Sequence, residues 1–258
     1  MAISLPQPEG PYSPASSNAS ESTSPISENR RAGSLSLAGN GLVGVHAEPP
    51  AGQGHLVMRR QSRTKRLLDL ALSLILLVLV APIVGVLALV IMIDSRGGPF
   101  FVQTRVGLGS REFRFVKLRT MVRDAEARLV ELKALNEAQP PLFKMKRDPR
   151  VTRVGAFLRR SSLDELPQLW NVLRGDMSLV GPRPPLPREV ATYTPEQARR
   201  LSVMPGMTGL WQVCGRSDVD FDQAVALDLS YIDTWSLALD LSLLMETLLV
   251  VVRPRGAY

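Results

Sequence analysis

Twenty-four consecutive residues without a charge, Leu70 to Ile93, constrain this chain more than any other feature. An apolar run of that length matches a helix able to cross a bilayer. Pro82 sits near its middle, with Gly85 three residues on. A proline inside a helix removes a backbone hydrogen bond and kinks or breaks it. Each half then holds about 12 residues, roughly 18 Å of helix, short of a hydrocarbon core about 30 Å thick. Both flanks are basic, with Arg59, Arg60, Arg63, Lys65 and Arg66 before the run and Arg96, Arg105, Arg111, Arg114, Lys117 and Arg119 after it. Because Lys and Arg stay on the cytoplasmic side, the pattern predicts a re-entrant hairpin broken at Pro82 that enters and leaves on one face. A kinked span and a buried soluble helix are the other readings of the same residues.

Residues 1–58 are rich in Ser, Pro, Gly and Ala and lack periodicity, which reads as a disordered tail. They carry no basic segment leading into an apolar one, so no cleaved signal is expected. Residues 59–96 form the membrane helix with its basic flank, and 97–258 the remaining domain. The 258 residues have 31 Lys and Arg against 24 Asp and Glu; outside residues 1–58 the numbers are 29 and 20. Such a surplus suits phosphorylated or anionic-lipid partners. Nucleic acid would also suit it, but no recognition element accompanies the charge, and no nucleic-acid partner is expected. The two histidines, His46 and His55, both precede the apolar run, and Cys214 is the single cysteine. Histidine general-base chemistry, an intramolecular disulfide and a zinc site are thereby disfavoured, leaving chemistry to carboxylates, Lys and Arg.

Beyond Gly97, Pro99 to Gln103 and Phe113 to Lys117 read as strands of a small β-hairpin turning at Gly107 to Gly109. Val122 to Ala138 has the composition of a surface helix. A basic run from Lys144 to Arg153 follows, containing the segment DPRVT. Thr194-Pro195 opens a short helix. Phe221 to Val252 is helical in pattern, but its acids Asp228, Asp233, Asp240 and Glu246 oppose a second span, because a central Asp costs about 2.5–3.5 kcal/mol. Helices lying on the membrane surface or packed on the core fit better. The expected class is α+β and helix-dominated: a monotopic membrane protein with a Pro-broken re-entrant helix, a small β-hairpin and interfacial amphipathic helices.

The chemistry concentrates in Arg159 to Pro184, RRSSLDELPQLWNVLRGDMSLVGPRP. Pro167 is tolerated only in the first turn of a helix, which places Asp164 and Glu165 at a helix mouth. Ser161 with Asp164, or Ser162 with Glu165, fits a capping box, so helix capping alone is one reading of the pair. Arg159, Arg160 and Arg183 are cations that capping does not require. In the other reading, a carboxylate attacks phosphorus while Lys117, Arg119, Arg159 and Arg183 neutralise the phosphoryl charge, aided by a divalent ion. Adjacent helical residues point about 100° apart, so Asp164 and Glu165 would divide nucleophile and metal or proton roles. The loop Met204 to Gly209, followed by Gln212, Gly215 and Arg216, reads as tight turns or as a phosphate or ribose contact.

The broken helix, KLRTM, DPRVT, LDELPQLWNVLRGDMSLVGPRP and PGMTGLWQVCGR, in that order, resemble the bacterial sugar transferases. More narrowly they resemble the monotopic polyprenyl-phosphate phosphoglycosyl transferases, of the type transferring hexose 1-phosphate to undecaprenyl phosphate to start exopolysaccharides. The resemblance spans Lys65 to Tyr258, though Ala81-Pro82 stands where that family commonly has Ser-Pro. It implies an inner-membrane enzyme, catalytic on the cytoplasmic face, that moves a sugar 1-phosphate, glucose or galactose, from a UDP-sugar to undecaprenyl phosphate and releases UMP. It further implies Asp164 as covalent nucleophile and Glu165 as its partner, the two holding Mg²⁺. Lys117, Arg119, Arg159 and Arg183 would bind phosphates, and Thr208, Gly209, Gln212, Gly215 and Arg216 would form the nucleotide-sugar side. Membrane lipids and downstream glycosyltransferases are the implied partners. A non-catalytic membrane protein of polysaccharide assembly or regulation is the competing class.

Overall fold

The structure, a computed structural model, describes residues 61–132, 136–137, 145, 147–214 and 219–252. The segment 1–58 and the pair Gly215 and Arg216 lie outside the described residues.

The apolar run folds as one helix, α1 (Arg63–Ser95), helical through Pro82 rather than divided there. It is the one described helix long and apolar enough to cross a membrane. Its start is bound to the body: Arg66 Nη1 donates to Val172 O at 2.9 Å, Lys65 Nζ to Asp240 Oδ2 at 2.6 Å, and Asp69 accepts from Ser178 Oγ at 2.7 Å. Its end is bound as well, Arg119 Nη2 donating to Ser95 Oγ at 2.8 Å. Between those points Leu74, Ile75, Val78, Leu79, Val86 and Leu89 remain exposed.

The expected hairpin forms between β1 (Phe100–Val106) and β2 (Glu112–Leu118), antiparallel, with Phe100 opposite Leu118 and Val106 opposite Glu112. Each strand is longer than the sequence signal because the pairing continues through Arg105 and Val106 of β1 and takes in Glu112 and Leu118 at the two ends of β2. The next helix, α2 (Ala125–Leu132), starts three residues later than expected. Met121 bridges to Val151 and the Val122 N–H donates to Arg150 O, so those residues are taken up by a short pairing.

The DPRVT segment is a staple. Asp148 accepts from the Nε, Nη2 and backbone N–H of Arg150, whose Nη1 reaches Ala125 O, and Thr152 Oγ1 caps α3 (Arg153–Ser161) by accepting from Gly155 N at 2.9 Å. Satisfying a free N-terminal N–H in this way contributes about 1 kcal/mol. After the 3-10 turn Leu163–Glu165 comes α4 (Gln168–Arg174), ended by Gly175 at φ 89, then β3 (Ser178–Val180). Short helices α5 (Pro187–Val190) and α6 (Pro195–Ala198) and the 3-10 turn Arg199–Ser202 lead to β4 (Gly206–Thr208), which pairs parallel with β3. Thr194 and Gln197 form a reciprocal capping box on α6, as Asp220 and Gln223 do at the start of the later helix Phe221–Thr234. The chain closes with α7 (Leu210–Cys214), α8 (Phe221–Thr234) and α9 (Leu237–Val252).

The main core joins Leu169 and Val172 of α4 to Phe115, Met177, Leu179 and Val180, covered by Val225, Leu229, Tyr231 and Ile232 of α8 and Leu243 of α9. Burying a side chain of this size contributes about 1.5–3 kcal/mol. A second cluster, Ile91, Leu118 and Leu158, fastens the end of α1 to β2 and α3. The acids that opposed a second span are accommodated. Asp240 is buried and accepts from Lys65, Tyr231 and Trp235, and Asp228 is buried against Arg200.

Candidate active site

Asp164 occupies the centre of the turn between α3 and α4. Ser162, at φ 57, ends α3 in the left-handed region and reverses the chain. Leu163 then packs on the Ile91, Leu118 and Leu158 cluster, which pins the turn, and Pro167 stands directly before α4. Asp164 is 7% exposed, whereas Glu165 beside it faces solvent. The capping reading does not describe this geometry: neither the turn nor α4 has a side-chain cap, and Ser161 Oγ donates back to Phe157 O and Leu158 O.

Two cations approach Asp164 from different elements. Lys117, near the end of β2, holds Nζ 5.4 Å from the centre of the Phe101 ring. Arg159 comes from the last turn of α3, its Nε donating to Thr120 Oγ1 at 2.9 Å. Gly155 permits this docking, since a Cβ there would lie 1.9 Å from Thr120 O. Burial, and then the neighbouring Glu165, push the Asp164 carboxyl up to about 6, while Lys117 and Arg159 pull it down. Burial pushes the Lys117 ammonium down to about 8; Asp164 opposes that shift, and Arg159 and Arg183 add to it. Arg159 is likewise held below its usual range by burial, with Asp164 opposing.

Arg183 belongs to the Gly-Pro-Arg-Pro turn, exposed, with its guanidinium carbon 5.8 Å from the centre of the Trp211 ring. The turn is held from beneath. Arg105 Nη1 donates to Pro184 O at 2.9 Å, and Arg200, paired with Asp228 at 2.7 Å, reaches Arg183 O at 3.5 Å. Burial and the like charge of Arg183 lower Arg105 to about 10. These supports were missed in the sequence, where Arg105 counted only as a flanking charge. Its place in the strand alternation, on the inward side with Phe101 and Gln103, was the available signal.

The fold thus gathers Asp164, Glu165, Lys117, Arg159 and Arg183 into one electrostatically coupled group. Arg119 is not among them, because its guanidinium is bound to Ser95 at the end of α1. The nucleotide-side segment meets the arginine turn through backbone: Gly181 N donates to Thr208 O, Gly206 N to Pro182 O, and a Cβ on Gly209 would lie 2.4 Å from Gly181 O. Thr208 Oγ1 shares a hydrogen bond with Thr247 Oγ1 at 2.8 Å, and Gln212 Nε2 donates to Met207 O at 3.2 Å.

The fold thus joins one long apolar helix, held at both ends, to a body in which the buried Asp164 faces two cations, Lys117 and Arg159. The chain belongs to the bacterial sugar transferase family, whose profile matches residues 60–254. It is 48% identical over 195 residues to "Galactosyl transferase CpsE" of Streptococcus agalactiae, covering 75% of this chain and 43% of that protein. Against "UDP-glucose:undecaprenyl-phosphate glucose-1-phosphate transferase" of Caulobacter vibrioides the identity is 43% over 203 residues, covering 75% and 72%. Against "Exopolysaccharide production protein ExoY" of Rhizobium meliloti it is 38% over 198 residues, covering 75% and 88%. The match thus spans less than half the length of the Streptococcus protein and most of the other two.

Proposed function

We propose that this protein transfers a sugar 1-phosphate, glucose or galactose 1-phosphate, from a UDP-sugar to undecaprenyl phosphate as the first membrane step of exopolysaccharide or related glycan synthesis. The observation that carries the reading is the buried Asp164 carboxylate facing Lys117 and Arg159, with Arg183 in the same coupled group. The names of the relatives, which specify UDP-glucose, galactose and undecaprenyl phosphate, support the substrates.

In the first step an Asp164 oxygen attacks the sugar-bearing phosphorus, and the bond to the UMP oxygen breaks. UMP leaves with that electron pair, and the sugar phosphate stays on Asp164 as an acyl phosphate. In the second step an oxygen of undecaprenyl phosphate attacks the same phosphorus, forming the lipid diphosphate sugar and restoring the carboxylate. Lys117, Arg159 and Arg183 neutralise phosphoryl charge in both steps. Among the described residues no cluster of three or more Asp, Glu, His or Cys side chains exists. Magnesium commonly takes only one or two carboxylates plus substrate phosphates, so Asp164 and Glu165 fit it. When bound there, Mg²⁺ would supply charge to the phosphate oxygens.

The re-entrant arrangement of α1 belongs to the same reading. What supports it is that Lys65 and Arg66 at one end of α1 and Ser95 at the other bind the same body, as expected of a helix whose two ends lie on one face. The exposed apolar face of α1, with Leu241, Met245, Leu248 and Leu249 of α9, would lie in the lipid of the inner membrane. The catalytic body would sit on the cytoplasmic face, passing product to downstream glycosyltransferases.

Purified protein incubated with UDP-hexoses, undecaprenyl phosphate and Mg²⁺ tests the reading: UMP and a lipid-linked hexose are expected. Absence of UMP with every common UDP-hexose would favour the non-catalytic assembly role instead.

A further inference from the structure

Gln168 carries a hydrogen-bonding group that the fold leaves unused. It is 2% exposed, and its Nε2 has no partner. A buried amide left unsatisfied destabilises the fold, and a hydrophobic residue of equal length would avoid that cost.

Its place in the fold locates the missing partner. The backbone is helical from Leu163 to Arg174, with Leu166 at φ −52, ψ −37 and Pro167 at φ −62, ψ −16 joining the 3-10 turn to α4. Asp164, Gln168 and Asn171 are therefore spaced i, i+4 and i+7, which puts them on one face. Both ends of that face are fixed along β2. Asn171 accepts from Val116 N and donates to Arg114 O, while Asp164 approaches Lys117. On that face Gln168 stands between Asp164 and Asn171, one turn beyond the carboxylate. Its terminal amide torsion is broad, so the N–H can turn toward an acceptor arriving there.

We propose that the Gln168 side-chain amide donates a hydrogen bond to a non-bridging oxygen of the phosphoryl group that Asp164 engages. The proposal rests on the phosphoryl-transfer reading above. It gives that group a neutral donor besides its cations, and the oxygen supplies the partner that Nε2 lacks.

The test compares wild type with Gln168→Met, which keeps length and removes the donor. The expected result is a 10- to 100-fold fall in kcat/KM, since the donor holds the bound phosphoryl group and is stronger still as charge develops on it. The thermal midpoint should stay unchanged or rise, because an unsatisfied buried amide is gone. Unchanged turnover, or a fall matching only a loss of folded protein, would overturn the proposal. Should the Met variant not fold, Gln168→Glu carries the same test, and wild-type turnover by it would be equally decisive. UDP-induced stabilisation separates this proposal from the reading it rests on. If wild type releases no UMP, the transfer reading fails by itself. UDP should then still raise the melting temperature of wild type more than that of the variant, and equal shifts would end the proposal.

Discussion

Lys65 Nζ lies 2.6 Å from Asp240 Oδ2, the two residues 7% and 4% exposed, so the first turn of α1 is tied to the first turn of α9 across 175 residues of sequence. Asp240 also accepts from Tyr231 Oη at 2.7 Å and Trp235 Nε1 at 3.1 Å. Breaking a buried pair costs up to about 3–5 kcal/mol, and less here because Lys65 keeps Asp69 at 3.9 Å. Asp240→Ala also takes the acceptor from Tyr231 and Trp235, so it should cost more than Lys65→Met, which leaves Asp240 its two neutral donors. Denaturant unfolding of the detergent-solubilised protein would measure both, and an Asp240→Ala variant as stable as wild type would contradict the role assigned to this pair.

The opposed shifts of Asp164 and Lys117 set a pH window. The aspartate must lose its proton to attack, which happens as pH rises through about 6. The lysine must keep its proton to hold phosphate, and it loses it as pH rises through about 8. Activity should therefore be bell-shaped, rising through 6 and falling through 8. Lys117→Arg should be slower because the fork geometry differs, yet its alkaline limb should disappear, since a guanidinium stays charged. A limb near 8 that survives in this variant belongs to some other group.

Gly155 makes a prediction at a distance from the chemistry. A methyl group there would meet Thr120 O at 1.9 Å, and the same threonine holds Arg159 through its hydroxyl. Gly155→Ala must push α3 away from Thr120 and carry Arg159 with it. The expected outcome is at least a 10-fold loss of turnover, since small misplacements of positioning groups cost rates of that order or more. Thr120→Val keeps the backbone contact and removes only the hydroxyl, so it should lose less.

Much of this was legible because it depends on local pattern. The alternation around Phe101 and Phe115 with glycines between gave the hairpin, and Pro167 placed Asp164 and Glu165 at a helix mouth. Helices α8 and α9 followed from their periodic run. What was not legible depends on long-range pairing. The parallel strands β3 and β4 are three residues each, too short for a periodic signal. The Asp228–Arg200 and Lys65–Asp240 pairs join residues far apart in the chain, and neither charge taken singly names its partner. Arg119 illustrates the limit within the site itself. Its motif grouped it with Lys117, but it follows the end of β2 and turns to Ser95.

Asp164 should also show activity and stability pulling in opposite directions. A carboxyl whose pKa rises from 3.8 unfolded to about 6 folded binds its proton more tightly in the folded state. Its contribution is therefore most favourable below 3.8, declines as pH rises toward 6, and above 6 becomes a constant cost of about 2–3 kcal/mol. The cause is burial beside Glu165, only partly offset by Lys117 and Arg159. Asp164→Asn removes the ionising group while keeping its shape. At pH 7.5 this variant should unfold at higher denaturant than wild type, and the difference should shrink as pH falls below 6. In the same samples UMP release should drop by at least 1,000-fold, the order of loss seen when a covalent nucleophile is removed. A variant that gains stability but keeps most of its turnover would point to direct attack by the lipid phosphate, with Asp164 only a ligand or electrostatic partner.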